Sequence, residues 1–273
     1  LILLATLSVA LSSISSNIAS EKLVVASILT RWLQQNDGIF NPKQQLRHKV
    51  ADDPQSGIGI FATEKIGKGE ILAHIPWNLI INSEEDSDTS DDDENIKLSS
   101  PNLSCGTFFN LVGELNEGKS SKFQPYIAYL QSTKKKLPAN WSAAAQKLLS
   151  QIIIGNNFDS PYLSRRLSLV DDIAPDFLKS EWFTTCGGNR ENATEKAAAD
   201  LLVQFAHYEL MIPTFDLYTH RNGNWHNTKL LFMEKDYFQI IARRDIEIGE
   251  QMHGSYTDCE NCNESANYGT PCK

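Results

Sequence analysis

Gly57-Ile58-Gly59-Ile60-Phe61-Ala62, the start of GIGIFATEKIGKGEILAHIP (residues 57–76), is the stretch from which the rest of the chain can be read. A Gly-x-Gly opens a strand, Lys68-Gly69-Glu70 supplies a turn, and a second strand ends at Pro76. Glycines at the opening of a strand let a ligand come close to the backbone, because no Cβ intervenes. Taken alone, a Gly-x-Gly is more often a β-bulge or a hairpin turn, so its meaning rests on what the chain carries elsewhere.

About 150 residues further on, MIPTFDLYTHRNGNWHNTKLLF (residues 211–232) and YFQIIARRDIEIGEQMHGSYTD (residues 237–258) repeat that logic. A strand is followed by the charged turn Ile248-Gly249-Glu250, then a short strand and an exposed tyrosine, Tyr256. The order and spacing of the two halves resemble the SET family, and most closely its Rubisco large-subunit methyltransferase-like branch, in which a helical insert splits the domain. The resemblance runs from about Glu21 to Gly269 and is strongest at the ends of that span. It implies an α+β chain: a SET fold of small β-sheets with a knot-like site, interrupted by a mostly helical insert at about residues 98–209.

The same resemblance implies the site. Gly57, Ile58, Gly59 and Phe61 would cradle the methionine end of S-adenosylmethionine. Asp216-Leu217-Tyr218-Thr219-His220 stands where the family usually shows Asp-x-x-Asn-His, with the His backbone at the adenine and the Asn side chain on the cofactor. Thr219 replaces that Asn, and a hydroxyl cannot offer the separate donor and acceptor of an amide, so one cofactor bond is lost or re-routed. Asn224 and Asn227 are the nearby amides that could substitute. Tyr256 falls at the mouth of the substrate channel, where a fixed phenol and backbone carbonyls orient a neutral amine behind the transferable methyl. A substrate lysine, with an ordinary pKa of about 10.4, must first lose its proton, which a dry channel favours. No metal is required at the transfer itself.

The remaining composition sets bounds. Among 273 residues, 41% are hydrophobic, enough for a packed core, and the formal net charge is -9. That field argues against a nucleic-acid duplex as partner and suits a basic protein substrate. Residues 1–20, LILLATLSVALSSISSNIAS, give an apolar run followed by small polar residues, the pattern of a signal peptide, and the run is too short to span a bilayer. An amphipathic helix continuing into Leu23 is the other reading. A signal peptide would direct the chain to the secretory pathway or to a plastid reached that way. The sequons at Asn102, Asn140, Asn192 and Asn263 fit this route but are no more than chance supplies.

Spacing of apolar residues places a helix over Glu21–Leu33, with Leu23, Ile28 and Trp32 on its apolar face and Asp37-Gly38 as its stop. SEEDSDTSDDDE (residues 83–94) has nothing apolar to bury and reads as a disordered loop where the insert begins. FFNLVGELNEG, AAAQKLLSQIII, SRRLSLVDDIA and ATEKAAADLLVQFAHYEL carry three-and-four spacing and make the insert mostly helical. Five cysteines leave one over if the rest pair. Cys259, Cys262 and Cys272, in the tail at residues 259–273, stand open to a disulfide, a zinc site needing a further ligand such as Cys186, or free thiols. The activity implied is protein-lysine N-methylation with S-adenosylmethionine. Its rivals are a catalytically silent SET fold that binds protein, and a disulfide-stapled lumenal structural protein.

Overall fold

The computed structural model describes residues 21–50, 53–82, 105–136, 141–145, 148, 186–189, 191–207, 210–221, 225–233 and 237–255. Expectations for residues 1–20, for the acidic run, for AAAQKLLSQIII beyond a few positions, for SRRLSLVDDIA and for the tail fall outside these residues, as does Tyr256. The described residues divide into two compact units, one within Leu1–Ile80, Lys122–Thr133 and Ile212–Tyr256, the other within Ile81–Ser121, Lys134–Met211 and Thr257–Lys273.

The first unit opens with helix α1 (residues 21–35). Its buried stripe is Ala26, Leu29, Thr30 and Leu33, at i, i+3, i+4 and i+7, joined by Trp32. Ile28, expected on that face, is 45% exposed, because the stripe is set by Leu29 and Leu33 one position further round. Full burial of each leucine contributes about 1.5–3 kcal/mol. The helix stops where Asp37 turns left-handed (φ 63°) and the Gly38 amide donates back to Leu33 O at 3.0 Å. Trp32 meets Phe123 edge-on, with ring centroids 6.3 Å apart.

Strands β1 (Ile39–Phe40), β2 (Gln44–Val50), β3 (Asp53–Ala62) and β4 (Ile71–Pro76) follow. β2 and β3 form an antiparallel hairpin in which Arg47 faces Gly59 and His48 faces Ile58. β3 begins at Asp53, four residues ahead of the Gly-x-Gly, so the glycines lie inside a strand rather than at its start. Later strands are β5 (Thr219–His220), β6 (Thr228–Met233), β7 (Tyr237–Ala242) and β8 (His253–Gly254). The main sheet has the order β1-β4-β7-β6, antiparallel throughout, and β5 pairs with β8 in parallel. β7 alternates strictly, burying Phe238, Ile240 and Ala242, and Ala73 and Ile75 of β4, paired with Ile240 and Phe238, face the same side. Trp77 stacks on Phe238 with centroids 5.7 Å apart.

The two motif halves are joined by a reciprocal set of backbone bonds. Ala62-x-x-x-Ile66-x-x-Gly69-Glu70 and Ala242-x-x-x-Ile246-x-x-Gly249-Glu250 have the same spacing. Ile66 and Ile246 exchange amide bonds at 3.0 and 2.9 Å. Gly69 N donates to Ala242 O at 2.7 Å, and Gly249 N donates to Ala62 O at 2.8 Å. Ala242 N returns to Glu70 O and Ala62 N to Glu250 O, at 2.9 and 3.0 Å. Gly69 and Gly249 occupy matching left-handed positions, φ 82° and 80°, which a side chain would strain. Each glutamate carboxylate caps its own turn, Glu70 taking the Gly67 amide and Glu250 the Glu247 amide, both at 3.1 Å, and each also pairs with a cation, Lys43 or Arg244. The sequence similarity of the halves is thus a local pseudo-two-fold, and it brings β3 against the segment that leads to β8.

Helix α3 (Gln124–Thr133), which the sequence places in the insert, packs with the sheet unit and buries Tyr126, Ile127, Tyr129 and Leu130 there. In the second unit, α2 (Cys105–Glu117) packs on α4 (Ala193–Phe205). Asn192 caps α4 by accepting from the Thr194 and Glu195 amides, and its Nδ2 donates to Glu195 Oε1 at 3.0 Å. Cys105 at the start of α2 is disulfide-bonded to Cys186, with Cα atoms 5.4 Å apart. Cys186 is therefore withdrawn from any zinc set, while Cys259, Cys262 and Cys272 lie outside the described residues. Ile81 and Met211 exchange backbone bonds in the same unit. Among the described residues no helix is long and apolar enough to cross a membrane.

Candidate functional site

The proposed cofactor residues converge where β3, β5 and β8 meet. β3 is tied to the strand-like segment before β8: Phe61 pairs with Gln251, and Met252 N donates to Ile60 O at 2.8 Å. β8 in turn pairs with β5, Thr219 opposite His253 and His220 opposite Gly254, and Arg221 N donates to Gly254 O at 3.0 Å. Gly57, Ile58, Gly59, Phe61, Thr219 and His220 therefore lie on adjoining strands of one crossing. Tyr256 is two residues past Gly254 and outside the described residues, so its placement is not part of this geometry.

The glycines differ in what they do. Gly57 sits at φ 80°, and a Cβ there would meet only Lys49, whose Cε would be 3.9 Å away. This is an open, left-handed cradle. Gly57→Ala should cost about 1–2 kcal/mol of stability from backbone strain alone, read from the urea midpoint. An unchanged midpoint would mean that this backbone does not need glycine. Gly59 instead lies beneath a side chain: a Cβ there would fall 2.5 Å from Gln251 Nε2 and 3.2 Å from Phe61 Cε2. Phe61 is buried, and the Arg47 guanidinium lies over its ring at 3.8 Å while donating to Gly249 O at 3.1 Å.

Thr219, the replacement for the family's Asn, is hydrogen-bonded on two sides. Gln251 Nε2 donates to Thr219 Oγ1 at 3.0 Å, and His253 Nδ1 lies 3.1 Å from the same oxygen and 3.2 Å from Thr219 O. Asn227 does not stand in for the missing amide. Its side chain is fully buried and clamps the β8 segment, donating to Gln251 O at 3.0 Å and Glu250 Oε1 at 3.1 Å, and accepting from His253 N at 2.8 Å. Asn224 lies outside the described residues. Tyr218 is also structural: its hydroxyl donates to Gln44 Oε1 at 2.8 Å, and Gln44 Nε2 donates to Leu72 O at 2.7 Å.

Sequence reading missed Gln251, His253, Arg47 and the clamping role of Asn227. A signal for Gln251 was present, since the matched half carries apolar Ile71 at that point and an amide there departs from the repeat. The three others are defined by partners distant in sequence. Asp216 has an enclosed Oδ2 with no hydrogen bond among the described residues, as does the hydroxyl of fully buried Tyr126. Burial pushes both pKa values up, and the Asp216 charge adds to the shift on Tyr126.

Burial lowers the pKa of His220 and of His253 below the ordinary 6.5, and for His253 nearby Arg221 and Lys49 add to the effect. Both rings are thus held neutral around pH 7. Below about 6.5 the unfolded chain takes up protons that these rings refuse, so their stability contribution is full above 6.5 and is lost as pH falls through the folded values. The urea midpoint should fall from pH 8 to pH 5.5, and His253→Gln should flatten that fall. An equal slope in the variant would contradict the assignment to His253.

A model of the SET domain matches residues 57–257, and the chain belongs to the SET-domain family. Its fold resembles that of the SET domain of LSMT bound to lysine and AdoHcy, at a TM-score of 0.53 and 16% identity over 89% of this chain and 56% of that one. It also resembles Rubisco LSMT bound to sinefungin and monomethyllysine, TM-score 0.54 and 16% identity over 89% and 55%, and Rubisco LSMT bound to AdoMet, TM-score 0.54 and 15% identity over the same shares. The chain therefore spans little more than half the length of these solved structures. No curated protein sequence matches it. Among the described residues no cluster of His, Cys, Asp or Glu is placed to hold a metal ion.

Proposed function

We propose that this chain binds S-adenosylmethionine at the crossing of β3, β5 and β8 and transfers its methyl group to a lysine side chain of a protein. The observation that carries the reading is the joining of Gly59 and Thr219, 160 positions apart in sequence, through the single side chain of Gln251. The residues fit such a ligand: Gly57 leaves open space above a left-handed backbone, and two positions on, Gly59 lies beneath the Gln251 amide that reaches the Thr219 hydroxyl. The solved relatives add support, since theirs are structures with AdoMet, AdoHcy and lysine bound.

When bound, S-adenosylmethionine supplies an electrophilic methyl on a positive sulfur. The chain's own part is orientation and electrostatics. Gly57 to Phe61 would hold the methionine end, and Thr219 and His220 the remainder. His220 and His253, kept neutral by burial, would add no positive charge of their own beside a bound sulfonium. Tyr256 would orient the neutral amine through its hydroxyl. A protein with net charge -9 attracts a basic segment, which suits a lysine-bearing substrate. The Cys105–Cys186 disulfide supports passage through an oxidising compartment, in line with a signal peptide over residues 1–20.

A second reading is a SET fold that binds protein without chemistry. It draws on Gln251, which fills the space over Gly59, and on Thr219, whose hydroxyl already has two neighbours. The test is incubation with methyl-labelled S-adenosylmethionine and a protein lysate, with labelled residues mapped by mass spectrometry. Label on lysine side chains is the expected result. Cofactor binding without label on any protein would decide for the second reading.

A further inference from the structure

We infer that the side-chain amide of Gln251 is a ligand-reading group that holds the amino-acid end of S-adenosylmethionine, with Thr219 as the positioning residue that aims it. The inference rests on the reading of β3 as the cradle for the methionine end. Gln251 is part-exposed in the β8 approach, paired through its backbone with Phe61 and held again at its carbonyl by Asn227. Its carboxamide lies across Gly59, where a Cβ would have to displace it, and it donates one N–H to Thr219 Oγ1 at 3.0 Å.

A primary amide has two donors and an acceptor oxygen. The Thr219 bond uses one donor and fixes the plane of the group, leaving an N–H and the carbonyl oxygen as the complement of an amino acid's carboxylate and ammonium. The amide that family resemblance expects at position 219 is thus supplied from the neighbouring strand, and Asn227, fully committed to the β8 backbone, is not the group that supplies it. Glycine at position 59 leaves the room that the Gln251 amide occupies.

The experiment is isothermal titration of the full chain with S-adenosylmethionine and with 5′-methylthioadenosine, which lacks the amino-acid end. Gln251→Leu keeps the bulk over Gly59 without polar groups, and Gln251→Glu keeps the shape without donors. Bonds to charged groups imply that either variant weakens S-adenosylmethionine about tenfold or more and leaves 5′-methylthioadenosine within about twofold. Thr219→Val should reproduce part of the loss and add little to Gln251→Leu. Equal weakening of both ligands, or of neither, would overturn the inference while the wild-type affinity kept the cofactor reading intact. Failure of the wild type to bind S-adenosylmethionine would overturn both. If the leucine variant does not fold, as judged by its melting curve, the isosteric glutamate variant alone gives the same comparison.

Discussion

Tyr256→Phe should lower methyl transfer about 10²-fold or more, equivalent to about 3 kcal/mol of barrier. The expectation starts from position: Tyr256 follows Gly249-Glu250 and the short β8, which is fixed to β5 beside Thr219 and His220. Its hydroxyl would be the group that orients the amine and stabilises charge as it moves off sulfur. The ring remains in the variant, so S-adenosylmethionine affinity should change by less than about twofold. Single-turnover transfer of labelled methyl to a lysate, beside a titration of the cofactor, separates the two effects. Equal rates in the two forms would remove Tyr256 from the mechanism.

Breaking Cys105–Cys186 should be the largest single loss of stability in the second unit. The bond joins residues 81 apart in sequence. Closing a loop of that length removes about 4.5 kcal/mol of denatured-state entropy in the chain-entropy account. The bond also anchors the start of α2 to the chain that leads into Asn192 and α4, so its loss should loosen the α2–α4 pair before the sheets. Hydrogen exchange of the reduced protein, or of a Cys105→Ser, Cys186→Ser double variant, should show faster exchange in α2 and α4 than in β3, β4 and β7. Unchanged exchange there would show that the packing of α2 on α4 is sufficient without the bond.

The chain's readable part was its repeated part. GIGIFATEKIGKGE and YFQIIARRDIEIGEQ announce strands and turns through alternation and left-handed glycines, and the structure pairs the two through Ile66 and Ile246. The turn ends were legible because Gly69 and Gly249 answer a local backbone need. Three things were not legible, for physical reasons. Ile28 faces outward, because in a short amphipathic helix a one-position rotation exchanges similar aliphatic residues between faces. α3 joins the sheet unit, where Trp32 meets Phe123 just before the helix and the Asp216 charge acts on its Tyr126; both residues are far away in sequence, and periodicity does not say which core a helix serves. At the site, the sequence showed that Thr219 lacks an amide but could not show that Gln251, 32 residues later, reaches its hydroxyl. Strand crossings create such neighbours, and no spacing rule encodes them.

A co-crystal structure of the full chain with S-adenosylhomocysteine tests the central claim most directly. The ligand should lie at the crossing of β3, β5 and β8, its amino-acid end against Gly57 to Phe61 and the Gln251 amide, and its adenine by the His220 backbone. Density for the ligand elsewhere on the protein, or a Gln251 amide still closed over Gly59 with no ligand at saturating concentration, would contradict it.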